Sequence, residues 1–358
     1  MHKHIVCTGG GTAGHVTPHL ALFPQLKKSG YAISYIGSKD GIEKEIMEEE
    51  GVDYYAVSTG KLRRYKHKDN WKDPFKVVKG VMEARQVLKK LRPDIVFSKG
   101  GFVSVPVVIA AKSLGIPAIL HESDRTPGLA NKIALRFCEK ICVTFPETVD
   151  LLPEGKALHT GAIVRPALFT GNRTKGLSLC NISSQKPVLL VVGGSSGSQK
   201  MNEAIVASLD TLLDTFHVIH ICGKGKVDES VQRYGYCSFE YVSSEFNDLL
   251  AAADVVVSRA GSNTIYECLA VKKPMLLIPL SPKVSRGDQV ENAQSFEKQG
   301  FAAVLSEDEL TSDSLVVNIN AVYKEKEGYL ERMRTAAQYT DGTEMIHLFD
   351  QVISKKNK

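Results

Sequence analysis

The sequence predicts an α/β chain made of two doubly wound, parallel-sheet domains that face each other across a cleft. Three observations predict it. Short apolar runs alternate with longer amphipathic stretches along the whole chain, as buried parallel strands alternate with helical crossovers. Glycine-rich turns follow several of those runs directly, at Gly9–Gly14, Gly100–Gly101, Gly193–Gly197 and Gly223–Gly225. The alternation stops once, in a polar stretch from Gly171 to Lys186 that reads as a linker, and then restarts. The length of 358 residues fits two cores of roughly 150–180 residues better than one. The expected division is an N-terminal domain over 1–164, a second domain over 165–340, and a C-terminal helix over 341–358 that is a candidate for packing back on the first.

In the first half, His4 to Thr8 is a strand, and Gly9-Gly10-Gly11-Thr12-Ala13-Gly14-His15 follows it. The helix from Val16 to Ser29 carries Pro18 in its first turn, where a missing N–H costs little. Read literally, Gly9-x-Gly11-x-x-Gly14 is the dinucleotide fingerprint in strand–loop–helix context. Its acidic partner is poorly supplied, because Asp40 falls in a polar turn after the second strand. The glycines therefore read as close backbone approach to a phosphate or sugar, without assigning NAD. Gly41 to Glu50 is a charged helix and Tyr54 to Val57 a strand. Beyond a basic loop, Phe75 to Leu91 is an amphipathic helix with Val77, Val78, Val81, Ala84, Leu88 and Leu91 on one face. Asp94 to Ser98 is a strand, Lys99-Gly100-Gly101 a second glycine turn, and Pro106 to Leu114 a helix. Ile116 to Leu120 ends in His121-Glu122-Ser123-Asp124, at the carboxyl edge where ligands of such sheets bind. A helix to about Glu139 and the strand Lys140 to Thr144 follow.

In the second half, Pro187 to Val192 is a strand that enters the loop Gly193–Ser198, and Met201 to Leu213 is a helix. Val218 to Cys222 repeats the strand-and-turn theme. The stretch from Ser258 to Asn292 carries the most chemistry. It leaves an apolar strand through Ala260-Gly261-Ser262-Asn263 and enters a helix from Thr264 to Val271. Such a loop is an anion site, because unpaired N–H groups and the positive end of the helix dipole point outward. Glu267, one turn in, is placed to accept hydrogen bonds from vicinal sugar hydroxyls. Met275 to Leu280 is the next strand, with Gln289 and Asn292 in a polar loop, and helices over Glu309–Lys326, Tyr329–Tyr339 and Thr343–Ser354 close the chain. Phosphate donors, a ribose-reading carboxylate and amides in series suggest a nucleotide-sugar pocket.

Composition excludes other classes. Hydrophobic content of 43% and charged content of 24% are those of a globular chain, and no apolar run approaches the ~20 residues that span a bilayer. The seven cysteines are scattered, without a Cys-x-x-Cys pair or zinc spacing, so reduced thiols in the cell interior and no structural metal are expected. The net charge of +5 is unevenly placed: Lys61 to Arg92 holds twelve Lys and Arg against Asp69, Asp73 and Glu83. Trp71 and Phe75 among these bases favour an anionic lipid interface, with a solvated helix face as the plainer alternative. Nucleic-acid motifs are absent, and no nucleic-acid partner is expected.

Six blocks together carry a family resemblance: Gly9 to Pro18, Lys99 to Ser104, His121-Glu122, Thr126 to Lys132, Gly193-Gly194-Ser195-x-Gly197, and Arg259-Ala260-Gly261 through Glu267. In this order and spacing the chain resembles, over essentially its whole length, the GT-B transferases of glycosyltransferase family 28. These move N-acetylglucosamine from UDP-N-acetylglucosamine to the muramoyl 4-hydroxyl of lipid I, giving lipid II in peptidoglycan synthesis. The resemblance implies an acceptor- and membrane-binding first domain and a UDP-sugar-binding second domain. It implies donor-sugar contacts from Thr12, Ala13 and Gly14, a nucleotide site lined by Arg165, Ser195, the Val242 backbone and Ser262, Asn263, Thr264, Ile265, Tyr266 and Glu267, and a sugar or phosphate contact from Gln289. Glu267 would hold the ribose. Asp124 is a further substrate-binding candidate. Departures are Ala13 where the motif has glycine, Asp124 where many members have asparagine, and Asp288 in place of the first of two glutamines.

An inverting transfer needs a base for the incoming hydroxyl and stabilisation of the departing pyrophosphate. With no Asp-x-Asp motif to hold a catalytic metal, and no cofactor expected, that charge falls on loop amides, helix dipoles and Arg165. His15 is the candidate base, since the helix N-terminus disfavours its imidazolium. Glu122 is a second catalytic candidate, its alternative being a buried partner tying two loops together, and His121 remains open as a base. The polyprenyl-linked acceptor implies peripheral docking at the cytoplasmic face of the membrane, through Lys66, Lys68, Trp71, Lys72 and Phe75. Competing readings are an NAD oxidoreductase, an epimerase of the same fold, a silent lipid-binding paralogue, and a UDP-sugar transferase acting on another lipid such as diacylglycerol.

Overall fold

The computed structural model describes residues 3–60, 73–194, 197–336 and 338–356. The described residues form two compact units, one running to Arg165 and resuming at Gln338, the other lying between Pro166 and residue 336.

The first unit runs β1 (Lys3–Thr8), α1 (Thr17–Lys28), β2 (Tyr31–Ser38), α2 (Ile42–Glu49), β3 (Asp53–Val57), α3 (Asp73–Leu91), β4 (Ile95–Ser98), α4 (Ser104–Ser113), β5 (Ala118–Glu122), α5 (Leu129–Ala134), β6 (Lys140–Val143), β7 (Ala157–His159) and β8 (Ala162–Ile163). Its seven-stranded sheet has the order β3-β2-β1-β4-β5-β6-β7, every pairing parallel. Alternation along each strand supplies both faces. Ile5, Cys7, Phe97 and Ile119 turn to one layer with Leu22 and Leu26 of α1. Val6, Val96 and Leu120 turn to the other with Leu88, Val107 and Val108 of α3 and α4.

The second unit contains α6 (Arg173–Leu179), β9 (Val188–Val192), α7 (Gln199–Ala207), α8 (Leu209–Thr215), β10 (His217–Ile221), β11 (Tyr236–Phe239), α9 (Phe246–Ala252), β12 (Val255–Ser258), α10 (Ser262–Ala270), β13 (Met275–Leu277), α11 (Asp288–Lys298), β14 (Ala302–Val304), α12 (Ser312–Lys324) and α13 (Lys326–Arg334). Its six-stranded sheet, β11-β10-β9-β12-β13-β14, repeats the strand order of the first with one strand fewer. The chain then returns to the first unit. There β15 (Tyr339–Thr340) pairs with β8, and α14 (Thr343–Lys356) buries Met345, Ile346, Phe349 and Ile353 beside Leu22 and Phe97. Each such apolar side chain contributes about 1.5–3 kcal/mol by leaving water.

Several local expectations differ. The polar stretch after Gly171 is no linker throughout: Asn172 caps α6 by accepting the Lys175 N–H at 3.1 Å, and Gly171 and Gly176 let this segment lie on the α9 backbone. A Cβ at Gly176 would come within 2.2 Å of the Asp248 carbonyl. The single helix expected from Met201 breaks into α7 and α8 at Ser208, whose hydroxyl bonds back to the Ala204 carbonyl at 2.7 Å. Gln289 and Asn292 sit in α11 rather than in a loop, with Asp288 and Glu291 favoured in its first turn by the helix dipole.

Candidate active site

In the first unit the glycine turn after β1 passes through a 3-10 turn, Ala13–His15, into α1. The His15 N–H donates to the Thr12 carbonyl at 3.1 Å, and Nδ1 of its half-buried ring lies 3.1 Å from Thr12 Oγ1. In the tautomer whose Nδ1–H donates to that hydroxyl, the basic lone pair sits on Nε2. The turn is held from below by Glu43, fully buried although it belongs to a charged helix. Its carboxylate accepts from the Ser38 N–H at 2.9 Å and the Gly11 N–H at 3.3 Å. The second glycine turn abuts the first. A Cβ on Gly101, whose φ is +78°, would meet the Gly10 carbonyl at 2.4 Å.

The end of β5 is a buried polar cluster. Glu122 accepts from the Asp124 N–H at 3.1 Å, the Gly128 N–H at 2.8 Å and Asn131 Nδ2 at 2.9 Å. Burial, helped by the charge of Asp124, raises its carboxyl above the ordinary range against those donors. This is the geometry of a clamp on the loop after β5. His121 is wholly buried, and burial together with the Lys99 charge holds its ring well below its ordinary pKa. With its Nδ1 taken by Lys99 and its ring out of reach of solvent, His121 presents no basic nitrogen to an incoming hydroxyl. Lys99 donates to His121 Nδ1 at 2.7 Å and to Ser123 Oγ at 2.8 Å, and burial brings it down to about 7. Asp124 is half-buried on the loop, and Arg165, also half-buried, is the last residue of this stretch of the unit.

In the second unit β9 and β12 are adjacent and parallel, so the turn entered at Gly193-Gly194 and the loop Arg259–Gly261 leave neighbouring carboxyl ends of the sheet. Each feeds a helix N-terminus, that of α7 capped by Ser198 Oγ accepting from the Met201 N–H, and that of α10 following Gly261. Two adjacent helix starts present N–H groups and dipole ends that can meet an anion. Asn263 and Thr264 lie half-buried in the first turn of α10, and Glu267, also half-buried, follows one turn on. Ile265 and Tyr266 are fully buried instead, Tyr266 edge-on to Phe296 at 5.0 Å, so these two have backbone rather than side chains to offer a ligand. Gln289 accepts the Leu280 N–H at 2.9 Å, which fixes its amide, and Asn292 on the same face of α11 donates to the Ala260 carbonyl at 3.1 Å. Val242 is half-buried in the loop after β11.

Beneath these loops Arg259 and Glu307 form a buried ion pair, and Arg259 also donates to Ser198 Oγ at 2.6 Å and the Ile278 carbonyl at 3.0 Å. Ser195 and the docking candidates Lys66, Lys68, Trp71 and Lys72 lie outside the described residues, as does the side chain of Ala13. Phe75 is described and is 78% exposed. Glu43, Lys99, Arg259 and Glu307 received no role from the sequence. A usable signal existed for Glu43, which precedes the buried Met47 by four residues and so shares its inward face.

Two parallel-sheet units with ligand loops at their strand ends define a GT-B glycosyltransferase architecture. The model of the glycosyltransferase family 28 N-terminal domain matches residues 5–143, and that of the family 28 C-terminal domain matches 188–346. The chain is 55% identical over 332 residues to a UDP-N-acetylglucosamine--N-acetylmuramyl-(pentapeptide) pyrophosphoryl-undecaprenol N-acetylglucosamine transferase of Clostridium botulinum (strain Langeland), covering 92% of this chain and 94% of that one. It is 53% identical to the protein of the same name in Lachnoclostridium phytofermentans, over 98% and 99% of the two chains. Among solved structures, Acinetobacter baumannii MurG shares the fold with a TM-score of 0.77 at 24% identity, over 98% of this chain and 99% of that one. The calicheamicin glycosyltransferase CalG4 does so with a TM-score of 0.68 at 16% identity, over 99% and 94%. The chain is a glycosyltransferase and belongs to family 28, within the MurG family of N-acetylglucosaminyltransferases.

Proposed function

We propose that the chain transfers N-acetylglucosamine from UDP-N-acetylglucosamine to the muramoyl 4-hydroxyl of lipid I, with inversion, to give lipid II and UDP. The observation that carries this is the pair of glycine loops at the neighbouring ends of β9 and β12, with Glu267 one turn into α10. The acceptor comes from the names of relatives at 53–55% identity over nearly the whole chain. The acceptor oxygen attacks the anomeric carbon as the bond from that carbon to UDP breaks. The hydroxyl proton passes to His15, and the charge growing on UDP is met by the amides of both loops, the α7 and α10 dipoles and Arg165. Thr12, Ala13 and Gly14 contact the donor sugar; Ser195, Val242, Ser262 and Asn263 line the nucleotide, and Gln289 binds the sugar or a phosphate. Glu122 and Asp124 belong to the acceptor side, Glu122 as the clamp that shapes the loop after β5.

The decisive experiment measures UDP release from UDP-N-acetylglucosamine with and without the muramoyl-pentapeptide lipid. Acceptor-dependent release is expected. Release with diacylglycerol but not with the muramoyl lipid would move the assignment to another lipid transferase. Glu267→Ala is expected to raise KM for the UDP-sugar by about 10–100-fold with little change in kcat, the loss of hydrogen bonds to a charged group. An unchanged KM would take the ribose away from Glu267.

The same reading places the enzyme peripherally at the cytoplasmic face of the membrane. Among the described residues no helix is long and apolar enough to cross a bilayer. On α3, Phe75, Val78 and Met82 are 78%, 58% and 57% exposed, so Val78 does not join the buried apolar face expected of it; the three form a stripe beside Lys76 and Lys79 that suits shallow insertion among anionic headgroups. Phe75→Glu combined with Val78→Glu is expected to cut sedimentation with phosphatidylglycerol vesicles about tenfold. Undiminished sedimentation would rule this stripe out.

A further inference from the structure

The first glycine turn stands on a buried carboxylate to which the reaction described above gives no part. Glu43 is fully buried in the first turn of α2, where the helix dipole favours negative charge. A buried carboxylate is costly unless donors meet it, and here they come from two separate segments. Ser38, at the end of β2, donates its N–H at 2.9 Å and its hydroxyl, and Gly11, in the turn after β1, donates its N–H at 3.3 Å. The carboxylate lies directly against that turn, since a Cβ on Gly10 would come within 2.5 Å of Glu43 Oε1. The corner that carries Glu43 is itself anchored. Tyr54 of β3 donates to the Ser38 carbonyl, and Tyr35 of β2 donates to the Gly9 carbonyl at 3.0 Å. The turn is thus gripped at Gly9 and at Gly11, immediately before Thr12, whose carbonyl accepts the His15 N–H and whose hydroxyl meets His15 Nδ1. A displacement at Gly11 passes through Thr12 to the His15 ring.

We propose that Glu43 is a positioning residue for the transfer: through the Gly11 N–H it fixes the turn that carries Thr12 and His15, and so places the His15 ring. This rests on the reading of His15 as base given above. Being wholly buried, Glu43 acts on the rate through His15 and not by touching sugar or acceptor.

The test is a double-mutant cycle on the full chain with Glu43→Gln and His15→Ala, read as kcat for UDP release with the muramoyl lipid. Glu43→Gln alone is expected to lose about 30-fold, the effect of a catalytic group displaced by a fraction of an ångström to an ångström. In the His15→Ala background the same change is expected to cost less than about threefold, because the ring it places is already gone. A glutamine that only loosened the fold would cost the same factor in both backgrounds, and that result would overturn the proposal. Gly10→Ala is the second variant, should Glu43→Gln not fold: it pushes the carboxylate aside with its charge kept, and the same non-additive pattern with His15→Ala is expected. A further measurement needs no turnover. The His15 Cε1–Hε1 NMR resonance, assigned by its loss in His15→Ala, is expected to move in Glu43→Gln, and an unmoved resonance would overturn the placement. A wild type without turnover on the muramoyl lipid would sink the transfer reading, and an active His15→Ala would sink the base; in either case the resonance still decides whether Glu43 places the ring.

Discussion

His15→Ala is expected to lower kcat for UDP release by about 10²–10⁴-fold, the contribution of a positioned general base, and to leave KM for the UDP-sugar within about threefold. The split follows from where the ring is. It ends a 3-10 turn fixed by its own N–H to the Thr12 carbonyl, and the Thr12 hydroxyl lies 3.1 Å from Nδ1. A residue built into the turn this way loses little loop structure when its ring is removed, but the proton acceptor goes with it. Thr12→Val removes the orienting hydroxyl and keeps the base, so its loss should be smaller than that of His15→Ala. If His15→Ala kept more than about a tenth of wild-type kcat, the base would lie elsewhere. Buried, neutral His121 and clamped Glu122 are poor replacements, which leaves Asp124 as the next group to change.

The architecture was legible because a parallel sheet buried on both faces writes itself as continuous apolar runs. Val188 to Val192 and Val255 to Val257 are such runs, and each meets a glycine turn where the chain must reverse. What escaped was written weakly. The half-buried edge strand β11 reads Tyr-Cys-Ser-Phe, and β15 is two residues long and exists through its pairing with β8. The site divides in the same way. Loops that expose backbone to a ligand announce themselves by glycine, whereas the side chains that hold those loops do not. Lys99 and Arg259 stood inside quoted motifs and still gave no hint of their partners, because Ser123, Ser198 and Glu307 meet them only through the fold. Tyr266 shows the converse: position within a motif suggested a ligand contact, and packing against Phe296 takes its ring away.

Glu307→Ala is expected to cost about 3–5 kcal/mol of unfolding free energy, because it leaves the Arg259 guanidinium buried without its carboxylate. The pair joins four pieces of the second unit. Arg259 reaches the Ser198 hydroxyl and the Ile278 carbonyl, while Glu307 accepts the Ser281 N–H at 3.0 Å and its own carbonyl accepts from Lys200. Both glycine loops therefore rest on one ion pair, and KM for the UDP-sugar should rise in the same variant. Acid supplies an independent check. Burial would raise the Glu307 carboxyl, but hydrogen bonds from Arg259 and Ser281 and the charges of Arg259 and Lys200 outweigh it and hold it below the ordinary 4.5. A carboxyl depressed in the folded state adds stability that is complete above its unfolded value and is lost as pH falls through the folded one. The gap between wild type and Glu307→Ala should thus be full at neutral pH and narrow below about 4.5. Arg259→Met combined with Glu307→Leu should unfold later than either single change, since an apolar pair leaves no charge stranded. Urea midpoints that order the double variant below the singles, or a Glu307→Ala within about 1 kcal/mol of wild type, would show that the loops are held by something else.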